Sequence, residues 1–301
     1  VRRLCWGVPE LPDIVVYLEA LAPRVVGQAR QWLRLPNPFV LRSVAPPPEV
    51  LEGIRVTGLQ RIGKRIVLAF EHERYLVIHL MVAGRLRWLA AGAKPPPRIS
   101  LATLEFAHGT LVLTEAGSLR RASLNVVAGA SPLAALDPGG LDPLNSDLVS
   151  FTARLLNPNA TLKRALTDPH RLSGIGNAYS DEILHRAQLS PLALTQRLAP
   201  AEIARLHVAV HDVLREWTQR LRAETGDRFP EKVTAFRPQM AVHGRYGQPC
   251  PVCAAPVQRI VHAENEINYC ARCQTGGRVL ADRAMSQLLH DSFPRRIEDL
   301  E

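Results

Sequence analysis

Four cysteines constrain this chain more than any other feature. Cys250, Cys253, Cys270 and Cys273 form the pattern C-x2-C-x16-C-x2-C. Cysteines two residues apart place two thiolates on one tight turn, and two such turns supply a closed tetrahedral shell for Zn2+. With no coordination position left open, one structural zinc is expected. Disulfide pairing is the lesser alternative, because a reducing cytoplasm disfavours it. Cys5 is left over as an unpaired thiol.

At 301 residues the chain is long enough for two domains with separate cores. A hydrophobic fraction of 47% excludes wholesale disorder. No apolar run reaches the length of a membrane span. The two arginines near the start are not followed by an apolar stretch with a cleavage site, so a signal peptide is not expected. A cytoplasmic protein without membrane contact is the simplest expectation. The formal charge of +9 suits a polyanionic partner. Only Lys64, Lys94, Lys163 and Lys232 accompany the arginines, so a biased coding composition also accounts for part of the charge.

Along the chain, Leu11, Val15, Leu18 and Leu21 recur at helical spacing, with Pro12 tolerated in the first turn. Between Ile54 and Val127 come the short runs RIVLAF, YLVIHLMV, GRLRWLA, TLEFA and TLVLT. They predict a strand-rich, mostly antiparallel domain, with Lys94–Arg98 as a loop. Residues 130–147 are dense in Pro, Gly, Asp and Ser and form the best hinge. Beyond it, 147–156, 161–166, 179–187 and 200–224 carry helical periodicity, and 225–240 is expected to be a mobile loop. A short helix is expected at 280–290.

Ser173-Gly174-Ile175-Gly176-Asn177 leads into one of these helices. Glycines and an asparagine ahead of a helix leave N–H groups at a positive dipole end, a natural place for phosphate. A plain helix start with glycine turns is the alternative.

With these parts in order, the chain resembles the bacterial formamidopyrimidine-DNA glycosylase and endonuclease VIII family along nearly its full length. The resemblance rests on PELPD at 9–13, GIGNAYSDE at 174–182 and the cysteine ribbon at 243–274. It implies an α+β fold: an N-terminal helix with a two-layered β-sandwich, then a helix-two-turn-helix domain with a C-terminal zinc finger. The expected divisions are 9–130 for the catalytic domain, 131–146 for the hinge, 147–242 for the helical domain, 243–275 for the finger and 276–301 for a tail. It further implies a monomeric, nucleoid-associated bacterial repair enzyme acting on double-stranded DNA with damaged bases or abasic sites.

The implied chemistry is a base flipped from the duplex, attack of an N-terminal proline amine on the sugar C1′, loss of the base, and β,δ-elimination. A free terminal amine, with a pKa of roughly 7.7–8.0, is far better suited to this than a lysine near 10.4. Pro9 takes the nucleophile's place and Glu10 that of the general acid on the sugar oxygen. Glu10 also reads as a first-turn carboxylate that favours the helix dipole. Lys64, on a strand turn, matches the family's catalytic-domain lysine, with a solvated hairpin lysine as alternative. Lys163 and Asn177 match its phosphate-gripping residues, although Asn177 also reads as a helix cap. Tyr179 and Glu182 read as packing and helix-support residues. Lesion specificity would reside in the pocket and in 225–240, where Phe229, Lys232, Phe236 and Arg237 are available to a base.

Three departures from the family pattern stand out. Residues that fill the gap left by a flipped base are expected to be apolar wedges or arginine, and Met81 and Arg121 are the candidates. At the finger tip Asn265 stands where the family has an arginine, between Glu264 and Glu266, with Arg259 and Arg272 as possible compensation. Finally, eight residues precede Pro9, which makes its nitrogen an amide. A chain beginning with Val, and Val8 just ahead of Pro9, point to GTG start codons and a mature terminus at Pro9. The rival readings are a silent relative that binds damaged or abasic DNA, and a general zinc-ribbon nucleic-acid-binding protein.

Overall fold

The computed structural model describes residues 8–117, 119–231, 233–234, 236–262, 265–280 and 295–300. The helix expected at 280–290 therefore lies, from residue 281 on, outside the described residues. The chain divides into two compact units: residues 1–138 with 217–235, and 139–216 with 236–301.

The first unit begins with α1 (Leu11–Val25). Glu10 is its N-cap and Pro12 sits in the first turn, where its missing N–H costs no helical bond. The buried stripe is Ile14, Tyr17, Leu21 and Val25, with Leu18 at its margin. Val15, expected on that face, is only partly buried. The helix also runs past Ala22 to include Pro23.

Two four-stranded antiparallel sheets follow. One has the order β2 (Val56–Ile62), β3 (Arg65–Phe70), β4 (Arg74–His79), β8 (Ser123–Ala128). The other has β1 (Trp32–Arg34), β6 (Ser100–Phe106), β7 (Gly109–Glu115), β5 (Gly84–Ala90). Strand alternation explains their packing. Ile66, Leu68 and Phe70 of β3 join Leu104, Leu111 and Leu113 in the shared core, together with the α1 stripe. Val67 faces the other way, with Val77 and Val127, beneath Leu133 of α2 (Ala130–Ala134). The apolar run in β3 is thus buried on both faces.

The segment 217–235, read from sequence as part of the helical domain and its loop, is counted with the first unit. Val233 lies in the sandwich core and the Phe229 ring stands 5.8 Å from that of Tyr17. Arg222 grips Glu19 through two bonds of 2.8 and 2.5 Å.

The second unit contains α3 (Leu148–Leu156), α4 (Leu162–Thr167), α5 (Asn177–Arg186), the first part of α6 (Pro200–Thr225), the hairpin β9 (Gln258–His262)–β10 (Asn265–Tyr269) and α7 (Ala271–Thr275). Asp147 and Thr161 cap α3 and α4 with their side chains. The segment 131–146 is more ordered than its composition implies. It opens inside α2, and Leu141 bridges to the chain at 171–173: its N–H donates to the Arg171 carbonyl at 2.9 Å, and the Ser173 N–H donates back at 2.8 Å. The division between units falls after Pro138.

Gly84 tests the tightness of the β4–β5 turn. Its N–H donates to the Leu80 carbonyl at 2.9 Å, and a Cβ there would lie 2.2 Å from that oxygen and 3.0 Å from the Ala122 Cβ. Gly84→Ala is expected to cost about 1–3 kcal/mol, read as a lower urea midpoint with an unchanged slope.

Candidate functional site

In the first unit, Pro9 and Glu10 are both buried at the mouth of α1, Glu10 being 1% exposed. The Glu10 N–H donates to Asp13 Oδ2 at 2.9 Å, and the Ile14 N–H donates to the Glu10 carbonyl at 2.9 Å. Asp13, itself buried, therefore fixes the backbone that carries Glu10. Asp13 was not singled out from sequence, although its spacing of three from the N-cap is the capping-box signal.

Helix α1 packs on β2 and β3, the hairpin whose turn carries Lys64. Lys64 follows Gly63, whose φ of +59° closes the turn. Arg61 donates to the Gly63 carbonyl at 2.8 Å and Arg65 to the Leu136 carbonyl at 2.6 Å. Across the ladder from Arg65 lies His79. Burial, then Arg65 and Lys64, push the His79 imidazole down to about 4. With that histidine neutral, the positive charge of this hairpin is carried by Arg61, Lys64 and Arg65.

Two loop tips stand side by side beyond this hairpin: a Cβ on Gly117 would lie 3.7 Å from the Ala83 Cβ. Met81 is partly buried with a left-handed φ of +53°, and Val82 beside it is exposed. On the other tip Leu119, 66% exposed, precedes exposed Arg120 and Arg121. Arg120 is tethered to the Arg98 carbonyl at 2.9 Å. Leu119 was passed over in the sequence; an apolar residue next to an arginine pair was its signal.

In the second unit the glycine loop is covered. Residues 173–176 are buried, and Asn177 is the partly exposed position at the start of α5. Lys163 is also buried, its ammonium donating to the Asn177 carbonyl at 2.7 Å and to Asp181 Oδ1 at 2.5 Å. Lys163 therefore holds the first turn of α5 from beneath. Asn177 Nδ2 donates to the Glu266 carbonyl of β10 at 2.8 Å. The asparagine thus ties the helix to the finger hairpin.

Two adjacent carboxylates complete that attachment. Asp181 Oδ2 lies 2.8 Å from His243 Nδ1 and accepts the Asn268 N–H at 3.1 Å. Glu182 accepts the N–H groups of Ala241, Val242 and His243 at 2.7, 2.9 and 3.0 Å. Burial nevertheless pushes the Glu182 carboxyl above its ordinary value. Tyr179 is buried in the helix core, as its reading as a packing residue expects.

The finger brings its four Sγ atoms within 4.8 Å of one another. Cys250–Cys273 and Cys253–Cys270 stand at 3.9 and 3.4 Å. Zn–S bonds of about 2.3 Å at tetrahedral angles require S···S separations of about 3.8 Å, so the donor set fits one structural zinc. Burial, with the Cys253 sulfur adding to it, pushes the Cys270 thiol up to about 11. A divalent cation is what allows such a crowded set to ionise. His185 Nε2 lies 3.3 Å from Cys250 Sγ, and burial, then Arg186, push its imidazole down to about 4. A neutral ring with its hydrogen on Nε2 donates to the Cys250 thiolate. At the hairpin, Arg259 stacks on Tyr246 at 4.2 Å and meets Glu266 at 3.5 Å, while Arg272 points to the Cys253 carbonyl at 3.4 Å. The side chain of Asn265 is not among those described.

Two outcomes are expected from this geometry. His79 binds its proton more weakly folded than unfolded, so its contribution is complete above pH of about 6.5 and is lost as the pH falls toward about 4. His79→Asn should flatten that acid limb in urea melts taken across the range. For zinc, His185→Phe should hasten release to a chelating dye by about 10-fold or more, with His185→Gln, which keeps an N–H donor, closer to the parent.

Comparison with known proteins agrees with these parts. Residues 8–121 match the family model of the formamidopyrimidine-DNA glycosylase N-terminal domain, and residues 140–225 match that of the formamidopyrimidine-DNA glycosylase H2TH domain. Residues 247–276 match a zinc finger found in FPG and IleRS. A formamidopyrimidine-DNA glycosylase of Aromatoleum aromaticum is 32% identical over 279 residues, covering 89% of this chain and 99% of its own. An uncharacterized formamidopyrimidine-DNA glycosylase-like protein of Mycobacterium tuberculosis is 40% identical over 163 residues, 54% of this chain and 99% of its own. The crystal structure of the MutM (Fpg) protein from Thermus thermophilus superposes with a TM-score of 0.74 at 32% identity, covering 88% of this chain and 98% of that one. A helix that starts at Pro-Glu on a β-sandwich, a glycine loop docked on a finger, and the matched relatives agree: the chain belongs to the formamidopyrimidine-DNA glycosylase family.

Proposed function

We propose that this protein is a bifunctional DNA glycosylase and abasic-site lyase of base excision repair, acting on oxidised or ring-opened bases in duplex DNA. The observation that carries this reading is the buried Pro9–Glu10 pair fixed at the mouth of α1, a helix packed on the electropositive Lys64 hairpin. Relatives of the same fold support it. A mutant of the Lactococcus lactis protein has been solved with DNA containing Fapy-dG, the Lactococcus lactis protein with DNA containing an abasic site, and MutM with DNA containing carbocyclic 8-oxo-G.

In the proposed reaction the Pro9 nitrogen attacks C1′ while Glu10 protonates the opening sugar oxygen, and the base leaves. The resulting iminium cannot shed its charge by losing a nitrogen proton, so it acts as an electron sink for β- and then δ-elimination. Lys64 and Asn177 are assigned to phosphate. Lys163 acts beneath the α5 turn by holding the Asn177 backbone. Arg121 and Met81, joined by Leu119, are assigned to the gap left by the flipped base. Asn265 is assigned to the finger's DNA contact.

The chemistry requires the Pro9 nitrogen to be an amine, so the active form is the chain whose first residue is Pro9. Intact mass of the native protein reports which form exists. In a borohydride trap on abasic duplex DNA, the Pro9-first form should give a covalent adduct that Pro9→Gly abolishes. Glu10→Gln should lower base excision by about 100-fold or more, with duplex affinity nearly unchanged. Tight binding to abasic DNA without an adduct would instead establish the silent-relative reading. That reading draws on the eight residues ahead of Pro9 and on a hairpin where Arg259 is engaged by Glu266.

A further inference from the structure

A second cluster of metal-type donors lies in the second unit and takes no part in the proposed chemistry. His207 and His211 occupy positions four apart on α6, so both rings leave the same helix face. His207 Nε2 stands 3.0 Å from the Ser146 carbonyl oxygen and 3.1 Å from His211 Nε2. The two rings meet edge to face with centroids 4.5 Å apart, and the His207 ring rests on Phe151 at 5.0 Å. Both histidines are partly exposed, so solutes reach them.

Neutral rings do not satisfy both contacts. A neutral imidazole nitrogen carries either a hydrogen or a lone pair. If His207 Nε2 bears the hydrogen, it serves the Ser146 carbonyl and has no lone pair for His211. If it bears the lone pair, it accepts from His211 and offers the carbonyl oxygen no hydrogen, and His211, which also reaches that carbonyl, then divides one hydrogen between two acceptors. One hydrogen on His207 Nε2 gives at most one linear bond, and the other contact is left strained or shared.

A divalent cation removes the conflict. With metal–nitrogen bonds of about 2.1 Å, two donors at near-right angles lie about 3 Å apart, as both measured separations do. We infer that Ser146 O, His207 Nε2 and His211 Nε2 form one face of a binding site for a borderline divalent cation such as Ni2+, Cu2+ or Zn2+. Two imidazoles suit these metals over Mg2+ or Ca2+. Water completes the shell from the solvent side. The burial of His211 and the proximity of His207 hold the His211 imidazole below its ordinary value, which keeps its nitrogen available at neutral pH. Occupancy staples Ser146, which closes the proline- and glycine-rich 131–146 segment, to α6.

The test uses the untagged full chain with its finger loaded with zinc, titrated with Ni2+ in a calorimeter, while zinc content is followed by atomic emission. A second equivalent of metal should bind with zinc still at one per chain. His211→Ala and His211→Gln should weaken that second event by about tenfold or more, and His108→Ala, an exposed histidine elsewhere, should leave it unchanged. Ni2+ should also raise the melting temperature of the parent chain and not that of His211→Ala. The inference is overturned if the parent binds no second equivalent, or if both His211 variants bind Ni2+ as the parent does; the histidine pair then only shares a proton.

Discussion

Two neighbouring carboxylates organise the second unit. Asp181 and Glu182 are consecutive residues of α5, both buried, and removing a carboxylate from water costs several kcal/mol unless its oxygens are bonded. Five of the groups that bond them, the N–H groups of residues 241–243 and 268 and the His243 ring, come from the segment that leads into and forms the finger. A sixth, Lys163, comes from α4. The finger therefore cannot leave α5 without stranding two charges. The zinc shell is joined to the same helix one turn further on, through His185 and Cys250.

The first unit relies on a different device. Its core is a sandwich of alternating strands, and α1 is laid on β2 and β3 by its Ile14–Tyr17–Leu21–Val25 stripe. That burial leaves the start of the helix with little freedom. Pro12 restricts the first turn, Asp13 takes the Glu10 N–H, and Pro9 is held immediately upstream. In the proposed reaction, a pair held on so rigid a helix start would lose little entropy when a substrate arrives. Charge is placed on the same terms: Lys64 is carried on a two-residue turn between strands that pair along their length.

Much of this was legible because it is local. Cysteine spacing specifies a metal shell by counting, Val-Ile-Leu runs specify strands by period, and PELPD specifies a helix start by proline and capping chemistry. What no local pattern records is which group meets which when the partners are distant in sequence. Lys163, matched to a phosphate-gripping position, lies buried on Asp181, 18 residues away. The 217–235 stretch, continuous with a helical text, packs with the sandwich through Phe229 and Val233. On α1 the sequence placed Leu11 and Leu21 inside, as the structure does, but chose Val15 over its equally apolar neighbour Ile14, and only the sandwich distinguishes those two.

By itself, then, the sequence determined the class of the protein: the zinc donor set, the β-sandwich followed by helices, and the Pro-Glu pair at a helix mouth. Each rests on residues within one turn or one strand of each other, or on a count between them. Tertiary structure alone decided which polar groups are engaged and which face solvent. It set Lys163 and the glycine loop in the interior, put Asn177 on the finger hairpin, and brought His207, His211 and Ser146 to one point. The physical reason is that a buried polar group takes its role from whatever chain segment the core presses against it, and no local pattern records that partner.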